Sequence, residues 1–346
     1  MTICHLNFNK GFRGSGRQTE LLIRALADRG FEQRFVARAD SPLVRRLGEV
    51  RGLEIIEIEK PFILLRPGVC KGVDFVHAHT GQATHLAALG NLVFGTPYII
   101  TRRVDNPIRN NLLNRVAYRR AWRVVALSRM IHDRLTDFMP ALDVRIIPDA
   151  VAHLPVDPVT TDKLREKYAG RFLIGHTGEL SNAHKGQLYL IEAARRIEKE
   201  APDVHFLLIG HGDDEAWLRK EAKGLGNVDF VGFVDNVGDY LSILDVFTYP
   251  SLHEGMGSAI LDAMEFGLPV VATHVDGIPD IVEQEVTGLL VPPADSEALA
   301  TALLRTCREQ DFRESLGRRG KERAANFSPE RMAERYIELY QPLLKN

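Results

Sequence analysis

The feature that most constrains the fold is a repeated alternation of short apolar runs, rich in β-branched residues, with longer stretches of helical periodicity. The first half has such runs at 2–6, 33–37, 53–58, 75–77, 98–101, 123–127 and 144–147, and the second half at 172–177, 205–210, 228–231, 246–249, 269–273 and 288–291. Strands that are apolar on both faces and alternate with helices indicate parallel sheets with right-handed crossovers. The sequence therefore predicts an α/β protein with two doubly wound domains.

The polar, proline-containing stretch 152–170 is the natural linker between the two series of strands. We place an N-terminal domain at 1–155, a C-terminal domain at 156–327 and a final helix at 328–346, which begins with Ser-Pro. That helix could pack on either domain, including back on the N-terminal one. In doubly wound domains ligands bind beyond the carboxyl ends of the strands, so those loops are where functional residues are expected.

The length of 346 residues is enough for two domains, each with its own core. No apolar run approaches the roughly 18–20 residues that span a bilayer, and the N-terminal residues do not have the pattern of a secretion signal. The three scattered cysteines, Cys4, Cys70 and Cys307, fit a reducing compartment and exclude a cysteine-rich zinc site. These features predict a cytoplasmic protein.

Charge is distributed unevenly along the chain. Residues 1–150 hold 23 Lys and Arg against 14 Asp and Glu, whereas the remainder holds 21 against 32. The excess of basic residues predicts an anionic partner for the first half. The basic amphipathic stretch 109–122 is either an ordinary packed helix with solvated arginines or a contact with the anionic inner face of the cell membrane. Nucleic acid is not expected, because aromatic residues are not interleaved with the arginines.

A glycine-containing turn follows the run at 246–249 and leads into a helix. Gly255 and Gly257 would let the backbone approach a ligand, and the exposed N–H groups at the start of the helix favour an anion. Glu254 could accept hydrogen bonds from sugar hydroxyls, and Asp262, about two helical turns along, could reach a second hydroxyl. The alternative interpretation is a glycine turn with an acidic N-cap.

The segment 254–272 reads E-G-M-G-S-A-I-L-D-A-M-E-F-G-L-P-V-V-A. It resembles the pattern E-G-F-G-x-x-x-L-E-A-M-A-x-G-x-P-V-V-A of the retaining nucleotide-sugar glycosyltransferases with the GT-B fold, a large family that includes sucrose synthases and bacterial mannosyl- and glucosyltransferases. Segments 231–233, 276–280 and 287–291 are also similar to that family. The resemblance implies two Rossmann-like domains facing across a cleft, and a hexosyltransferase that acts on a nucleoside diphosphate sugar and a saccharide or glycolipid acceptor.

By the same resemblance, the process would be the synthesis of cell-surface polysaccharide or lipopolysaccharide, with the nucleotide sugar as co-substrate and no separate cofactor. Two alternatives stay open. One is a nucleotide-sugar 2-epimerase, which also has two such domains. The other is a catalytically degenerate subunit that binds a sugar nucleotide.

The resemblance also assigns roles to individual residues. Glu254 would hold the donor sugar, the backbone N–H groups of Gly257 and Ser258 would receive the diphosphate, and Asp262 would hold the ribose. Lys185, in a Lys-Gly pair, would bind a phosphate oxygen, although such a pair in a loop is often only solvated. The remaining donor-side candidates are Phe233, in the base pocket, and Gly14 and Gly16, in the turn after the first strand.

Three positions depart from the family pattern. Glu179 replaces an arginine that clamps the diphosphate, Asp262 replaces a glutamate, and Arg103 stands where many members have histidine. The guanidinium of Arg103 could stabilise the departing diphosphate, or it could form a structural ion pair with Asp105. We name Glu254, Lys185 and Arg103 as catalytic candidates, with Arg103 compensating for the missing arginine at 179.

His77 and His79, with His85 as a third ligand, raise the possibility of a metal site. Hydrogen-bonded imidazoles at a strand end are the alternative, and no cysteine or carboxylate cluster supports the metal. The sequence also contains no Asp-x-Asp motif that would hold a metal–nucleotide pair. The sequence therefore predicts a metal-independent enzyme.

Overall fold

The structure is a computed structural model that describes residues 2–12 and 14–344, and the side chains of all of these except 60–62 and 344. It divides into two compact units. Unit 1 comprises Met1–Ala152 together with Ser328–Asn346, and unit 2 comprises His153–Phe327. The division falls between Ala152 and His153, where the sequence placed it after residue 155, and the C-terminal helix belongs to unit 1.

The sheet of unit 1 is parallel throughout, in the order β3-β2-β1-β4-β5-β6-β7. Its strands are β1 (Thr2–Asn7), β2 (Glu32–Arg38), β3 (Leu53–Ile58), β4 (Phe75–Ala78), β5 (Tyr98–Arg102), β6 (Arg123–Ala126) and β7 (Val144–Ile146). The helices between them are α1 (Gly14–Ala27), α2 (Pro42–Leu47), α3 (Gly81–Phe94), α4 (Leu112–Arg120) and α5 (Arg129–Phe138), with 3₁₀ turns at Lys60–Leu65 and Pro67–Cys70.

Unit 2 repeats the arrangement with a parallel sheet in the order β10-β9-β8-β11-β12-β13. The strands are β8 (Phe172–Thr177), β9 (Val204–Ile209), β10 (Val228–Gly232), β11 (Val246–Tyr249), β12 (Val270–Thr273) and β13 (Gly288–Val291). The helices are α6 (Pro158–Lys167), α7 (Asn182–Lys185), α8 (Gln187–Glu200), α9 (Glu215–Glu221), α10 (Val237–Leu241), α11 (Ser258–Glu265), α12 (Ile278–Ile281), α13 (Ser296–Arg308) and α14 (Gln310–Ala324), followed by a 3₁₀ turn at Ala325–Phe327.

The last helix, α15 (Pro329–Leu344), completes the core of unit 1. Tyr336 and Tyr340 are fully buried on its inner face, and the Tyr340 ring packs 4.6 Å from that of Phe75 in β4. The Tyr340 hydroxyl is hydrogen-bonded to Nδ1 of His77 at 2.8 Å, and the Tyr336 hydroxyl lies 3.0 Å from Oγ1 of Thr101. The two tyrosines thus satisfy buried polar groups of the sheet as well as filling space.

The predicted fold class is confirmed. Each run of β-branched residues named from the sequence forms a strand, and the strand order in unit 2 is that of a doubly wound nucleotide-binding sheet. The helix expected over 109–122 is shorter, because Asn111 caps it and its side chain accepts a hydrogen bond from the backbone N–H of Asn114. Among the helices of the described residues, none is both long and apolar enough to cross a membrane.

Candidate active site

The strand order of unit 2 reverses between β8 and β11, which are hydrogen-bonded neighbours. Strands leave this point in opposite directions, so the loops that follow β8 and β11 separate and open a crevice at their carboxyl ends. Lys185 lies at the end of α7, after β8, and Glu254 lies in the turn after β11. The topology therefore brings together two residues that are 69 positions apart in the chain.

The Lys185 loop is fixed to the turn after β11 by backbone contacts. The carbonyl oxygen of His184 accepts hydrogen bonds from the N–H groups of Leu252, at 2.8 Å, and His253, at 3.2 Å. Gly186 ends α7 with φ +63°, and a Cβ at this position would lie 2.2 Å from the carbonyl oxygen of Pro250. Only glycine permits this approach, which explains the Lys-Gly pair in structural terms.

Lys185, Tyr249 and Glu254 form a three-membered cluster. Nζ of Lys185 donates to the Tyr249 hydroxyl at 2.8 Å and to Oε2 of Glu254, and the Tyr249 hydroxyl donates to the same Oε2 at 2.8 Å. The Lys185 and Glu254 side chains keep 20% and 15% of their surface exposed, so the pair is neither fully buried nor fully solvated. Among the described residues, Oε1 of Glu254 has no hydrogen-bond partner, which leaves this oxygen for a ligand.

The surroundings keep the cluster in one charge state near neutral pH. Burial alone would lower the pKa of Lys185, but the adjacent Tyr249 and Glu254 outweigh it and hold the pKa above its usual value. Burial, reinforced by the negative charge of Glu254, raises the pKa of Tyr249. Lys185 is therefore a cation and Tyr249 a neutral phenol that can donate a hydrogen bond.

The predicted glycine-containing turn is present at the start of α11. Gly257 has φ +89°, and a Cβ there would lie 3.1 Å from Cδ1 of Ile260 and 3.4 Å from Cγ of Glu254. Ser258 is the first residue of the helix, so its N–H belongs to the group that lacks an intrahelical partner. The structure thus places a helix N-terminus, which favours negative charge, beside the Lys185–Glu254 pair.

Asp276 and Gly277 hydrogen-bond to the backbone of Glu254. Oδ2 of Asp276 accepts the backbone N–H of Glu254 at 3.0 Å, and the N–H of Gly277 donates to the Glu254 carbonyl at 3.3 Å. Asp276 has φ +47°, a conformation in which aspartate is tolerated better than most residues. Asp276 and Gly277, within the segment 276–280 that resembles the family, therefore hold the backbone of Glu254 in place.

Asp262 and Phe233, the other donor-side candidates in unit 2, differ in exposure. Asp262 lies in α11 with 4% of its surface exposed, so burial leaves little of it for a ligand. Phe233 follows β10 and is 67% exposed, with its ring 5.7 Å from that of His211, which follows the adjacent strand β9. An exposed aromatic pair at neighbouring strand ends is suited to stacking with a planar ring.

At Glu179, where the family has arginine, the backbone is part of a buried network. Its carbonyl oxygen accepts a hydrogen bond from Nε2 of Gln187 at 2.8 Å, and the same amide nitrogen lies 3.3 Å from Nε2 of His176. Nδ1 of His176 faces the carbonyl of Thr248 at 3.2 Å, so this nitrogen donates and Nε2 accepts. Burial lowers the pKa of His176 to about 4, which keeps it neutral.

Gly14, Gly16 and Arg103 belong to unit 1. Gly14 is the exposed first residue of α1, whereas Gly16 is buried with Phe12 and Leu43 at 3.5 and 3.6 Å from the position of an added Cβ. Both glycines lie within α1 and not in the turn that was expected, and an added Cβ at Gly16 would make only ordinary van der Waals contacts.

Arg103, immediately after β5, is paired with a different residue from the one expected. Of the alternatives considered for Arg103, a pair with Asp105 is not the one formed, because Nη1 of Arg103 forms an ion pair with Oδ1 of Asp149, and the two side chains are only 3% and 8% exposed. Nε and Nη2 of Arg103 are buried without a hydrogen-bond partner among the described residues. Asp149 already offsets the charge of Arg103 within the unit, so the role of Arg103 toward a diphosphate stays a prediction.

The histidine cluster has a different third member from the one expected. His85 is hydrogen-bonded to Asn114, and His5 of β1 joins His77 and His79 instead, because His5 and His77 are partners in the β1–β4 register. Both ring nitrogens of His77 are hydrogen-bonded, to Thr101 and Tyr340. Burial lowers the pKa of His5 to about 3 and those of His77 and His79 well below the usual value, so all three are neutral.

Comparison with known proteins agrees with the fold. Residues 12–153 match the profile of Glycosyltransferase Family 4, and residues 171–309 match that of Glycosyl transferases group 1. The 2-deoxystreptamine N-acetyl-D-glucosaminyltransferase of Streptomyces fradiae is 30% identical over 83% of this chain and 81% of its own length. The lipopolysaccharide core biosynthesis glycosyltransferase LpsE of Rhizobium meliloti is 28% identical over 98% of each chain.

A solved structure has the same fold over its whole length. HepE of Anabaena, in complex with UDP-glucose, superposes with a TM-score of 0.87 at 22% identity, covering 99% of this chain and 100% of that one. With the two profiles and the relative at 30% identity, these findings establish that the chain belongs to the GT-B nucleotide-sugar glycosyltransferases of the family Glycosyl transferases group 1.

Proposed function

We propose that this glycosyltransferase transfers a hexosyl group with retention of the anomeric configuration. The donor is a nucleoside diphosphate sugar, and the acceptor is a saccharide or glycolipid used in cell-surface polysaccharide or lipopolysaccharide synthesis. Similarity to LpsE of Rhizobium meliloti, a lipopolysaccharide core biosynthesis glycosyltransferase, supports the choice of process.

The observation that carries the proposal is the Lys185–Glu254 pair beside the N-terminus of α11 at the switch point of the unit 2 sheet. Lys185 and the free N–H groups at Gly257 and Ser258 favour the negative charge of a diphosphate. Glu254 offers Oε1 to the hydroxyls of the adjoining sugar. The exposed Phe233 offers a surface for the base. Unit 2 thus has groups for the diphosphate, the sugar and the base, and the candidate for the ribose is Asp262 of the same unit, although its side chain is mostly buried.

In the proposed reaction, the acceptor oxygen forms a bond to C1 of the sugar on the face from which the diphosphate departs. The bond between C1 and the β-phosphate oxygen breaks, and the proton of the acceptor hydroxyl passes to an oxygen of the leaving diphosphate. Lys185 and the α11 N-terminus stabilise the charge that accumulates on the leaving group. Glu254 holds the sugar so that the acceptor meets C1 on that face.

We further propose that the transfer needs no metal ion. The positive charge that a divalent ion would supply to the diphosphate comes from Lys185 and from the helix N-terminus. In unit 1, the His5–His77–His79 cluster is buried, and both nitrogens of His77 already have hydrogen-bond partners. Their arrangement suits a structural role in the core.

The exposed face of α4 is proposed to contact the anionic inner face of the cell membrane. Leu112 and Leu113 are 78% and 59% exposed, and Arg115 and Arg119 lie on the same helix. Trp122, 39% exposed, and Arg119 line a cavity of about 430 Å³ beside it. Exposed leucines and tryptophan among arginines are the composition of interfacial helices.

A thermal-shift screen with UDP-, GDP-, ADP- and CDP-sugars tests donor binding, since a ligand at 100 times its Kd stabilises the native state by about 2.7 kcal/mol. The donor that stabilises the protein is then offered with candidate acceptors in the presence of EDTA, and the product is examined by NMR. Retained anomeric configuration supports the proposal. Stabilisation by none of the donors would contradict it, and a donor that binds but is epimerised or never turned over would favour the two alternatives named above.

A further inference from the structure

Tyr249 is the last residue of β11 and the third member of the Lys185–Glu254 cluster. Only 4% of its surface is exposed, and its ring is held between those of Phe247, at 6.0 Å, and His176, at 5.6 Å. Nζ of Lys185 lies 5.0 Å from the ring centroid as well as 2.8 Å from the hydroxyl. A phenol fixed in this way has a well-defined hydroxyl position.

We propose that Tyr249 is a positioning residue for donor transfer, and that its hydroxyl sets the orientation of the Glu254 carboxylate relative to the Lys185 ammonium. This inference rests on the proposed function of the cluster. Tyr249 acts through the two charged residues, and no contact of its own with substrate is required.

The hydrogen-bond roles within the cluster follow from the donors available. The Lys185 ammonium has only donors, so the Tyr249 oxygen accepts a hydrogen bond from it. The Tyr249 hydroxyl in turn donates its hydrogen bond to Oε2 of Glu254. Oε2 thus accepts two hydrogen bonds, which together fix the rotation of the carboxylate about its terminal bond. Without the phenol proton, the direct Lys185–Glu254 contact still holds Oε2 but no longer fixes the plane of the carboxylate.

The inference predicts a specific defect in Tyr249→Phe. The aromatic ring and its packing on Phe247 and His176 are kept, and only the hydroxyl is lost. Because the lost bond is to a charged group, we expect kcat/KM for the donor to fall about tenfold. The melting temperature should change no more than in Tyr98→Phe, the matched control, which removes another buried hydroxyl whose partner is the carbonyl of Ala117 in unit 1.

A double-mutant cycle with Glu254→Gln separates positioning from general packing. If Tyr249 acts through the carboxylate, adding Tyr249→Phe to Glu254→Gln lowers kcat/KM by less than twofold, because the group it orients is already altered. A full tenfold further loss in the double variant would overturn the inference, as would unchanged kcat/KM in Tyr249→Phe alone. Both outcomes presuppose donor turnover by the unaltered protein. If that protein binds no nucleotide sugar, the proposed function itself fails.

Discussion

Gly186 approaches Pro250 so closely that a Cβ on Gly186 would lie 2.2 Å from the Pro250 carbonyl oxygen. This contact joins the loop that presents Lys185 to the strand end that presents Tyr249, which precedes Pro250 directly. The backbone of the site therefore depends on a position that has no side chain to contact a ligand.

The first prediction concerns Gly186→Ala. The new methyl group must displace the Pro250 carbonyl, so we expect donor affinity to fall about tenfold and stability to fall by about 1–3 kcal/mol. This loss is in addition to the cost of holding alanine at the φ of +63° that Gly186 adopts. Gly170→Ala is the matched control, since Gly170 has φ +73° with no atom within 4 Å and should cost only about 1 kcal/mol. Calorimetric donor titration and thermal melting measure both. Equal effects of the two substitutions would contradict the role of the contact.

The second prediction is that donor turnover depends on Glu254 and Lys185. Glu254→Gln keeps the size of the side chain but removes its charge, and Lys185→Ala removes the proposed phosphate contact, for which we expect a cost of roughly 1.5–3 kcal/mol. Each should lower activity tenfold or more while circular dichroism shows the fold preserved. Lys199→Ala, at an exposed lysine of the same unit, is the control. Turnover equal to that of the unaltered protein in both site variants would remove these residues from the site.

The third prediction concerns the buried Arg103–Asp149 pair. Arg103→Ala removes the cation that forms a buried ion pair with Oδ1 of Asp149, which should cost about 3–5 kcal/mol. Adding Asp149→Ala should recover part of that loss, because the carboxylate that the guanidinium offsets is then removed as well. Urea denaturation of the two single variants and the double variant measures the coupling. Strictly additive losses would show that the pair contributes nothing as a pair.

A separate measurement decides whether Arg103 also serves the donor. If Arg103 compensates for the absent arginine at 179, the double variant Arg103→Ala/Asp149→Ala should bind nucleoside diphosphate more weakly than the unaltered protein. Adding Glu179→Arg should then restore part of the affinity. Calorimetry on the folded proteins tests this, and unchanged affinity in the double variant would refute compensation.

The fourth prediction is a loss of stability on acidification. His5, His77 and His79 are buried and neutral with lowered pKa values, whereas in the unfolded chain they bind protons near pH 6.5. Below pH 6.5 the unfolded state therefore binds more protons than the folded state. The contribution of the three histidines to stability is complete above that pH and is lost as the pH falls toward about 3.

The expected slope is about 1.4 kcal/mol per pH unit for each histidine well below pH 6.5. Urea denaturation at several pH values between 7 and 5 gives the slope. His79→Gln should reduce it, while His274→Gln, at an exposed position, should not. Stability that is flat over this range would contradict the neutral, buried state of the cluster.

The sequence predicted the strands and the residues at their ends, and it did not predict which residues pair across the sheet. The sequence indicates Glu254 and Lys185 as site residues, because each lies in a turn after a recognisable strand. It does not indicate Tyr249, because this residue belongs to the apolar alternation of β11 and there has the pattern of a core residue. Asp149 and His5 were missed because their partnerships depend on strand register and order, and neither follows from spacing along the chain.

The last prediction is that unit 1 docks on anionic membranes through α4. Each basic residue near such a surface contributes about 1 kcal/mol, so several arginines with exposed leucines allow reversible attachment without a spanning segment. Salt should weaken it, because the screening length falls from about 10 Å at 0.1 M to about 3 Å at 1 M. Co-sedimentation with liposomes, with and without anionic lipid, measures the attachment.

Charge reversal separates this surface from general electrostatics. Arg115→Glu/Arg119→Glu should release the protein from anionic liposomes while donor hydrolysis continues, since Lys185, Glu254 and the N-terminus of α11 lie in unit 2. The matched control is Arg318→Glu/Arg319→Glu, which makes the same change of charge at exposed arginines of α14 and should leave attachment unchanged. If both pairs of substitutions release the protein equally, attachment reflects net charge alone. If the unaltered protein remains in the supernatant with anionic liposomes, the proposal of membrane contact is wrong. The arginines and leucines of α4 then do not bind an anionic lipid surface.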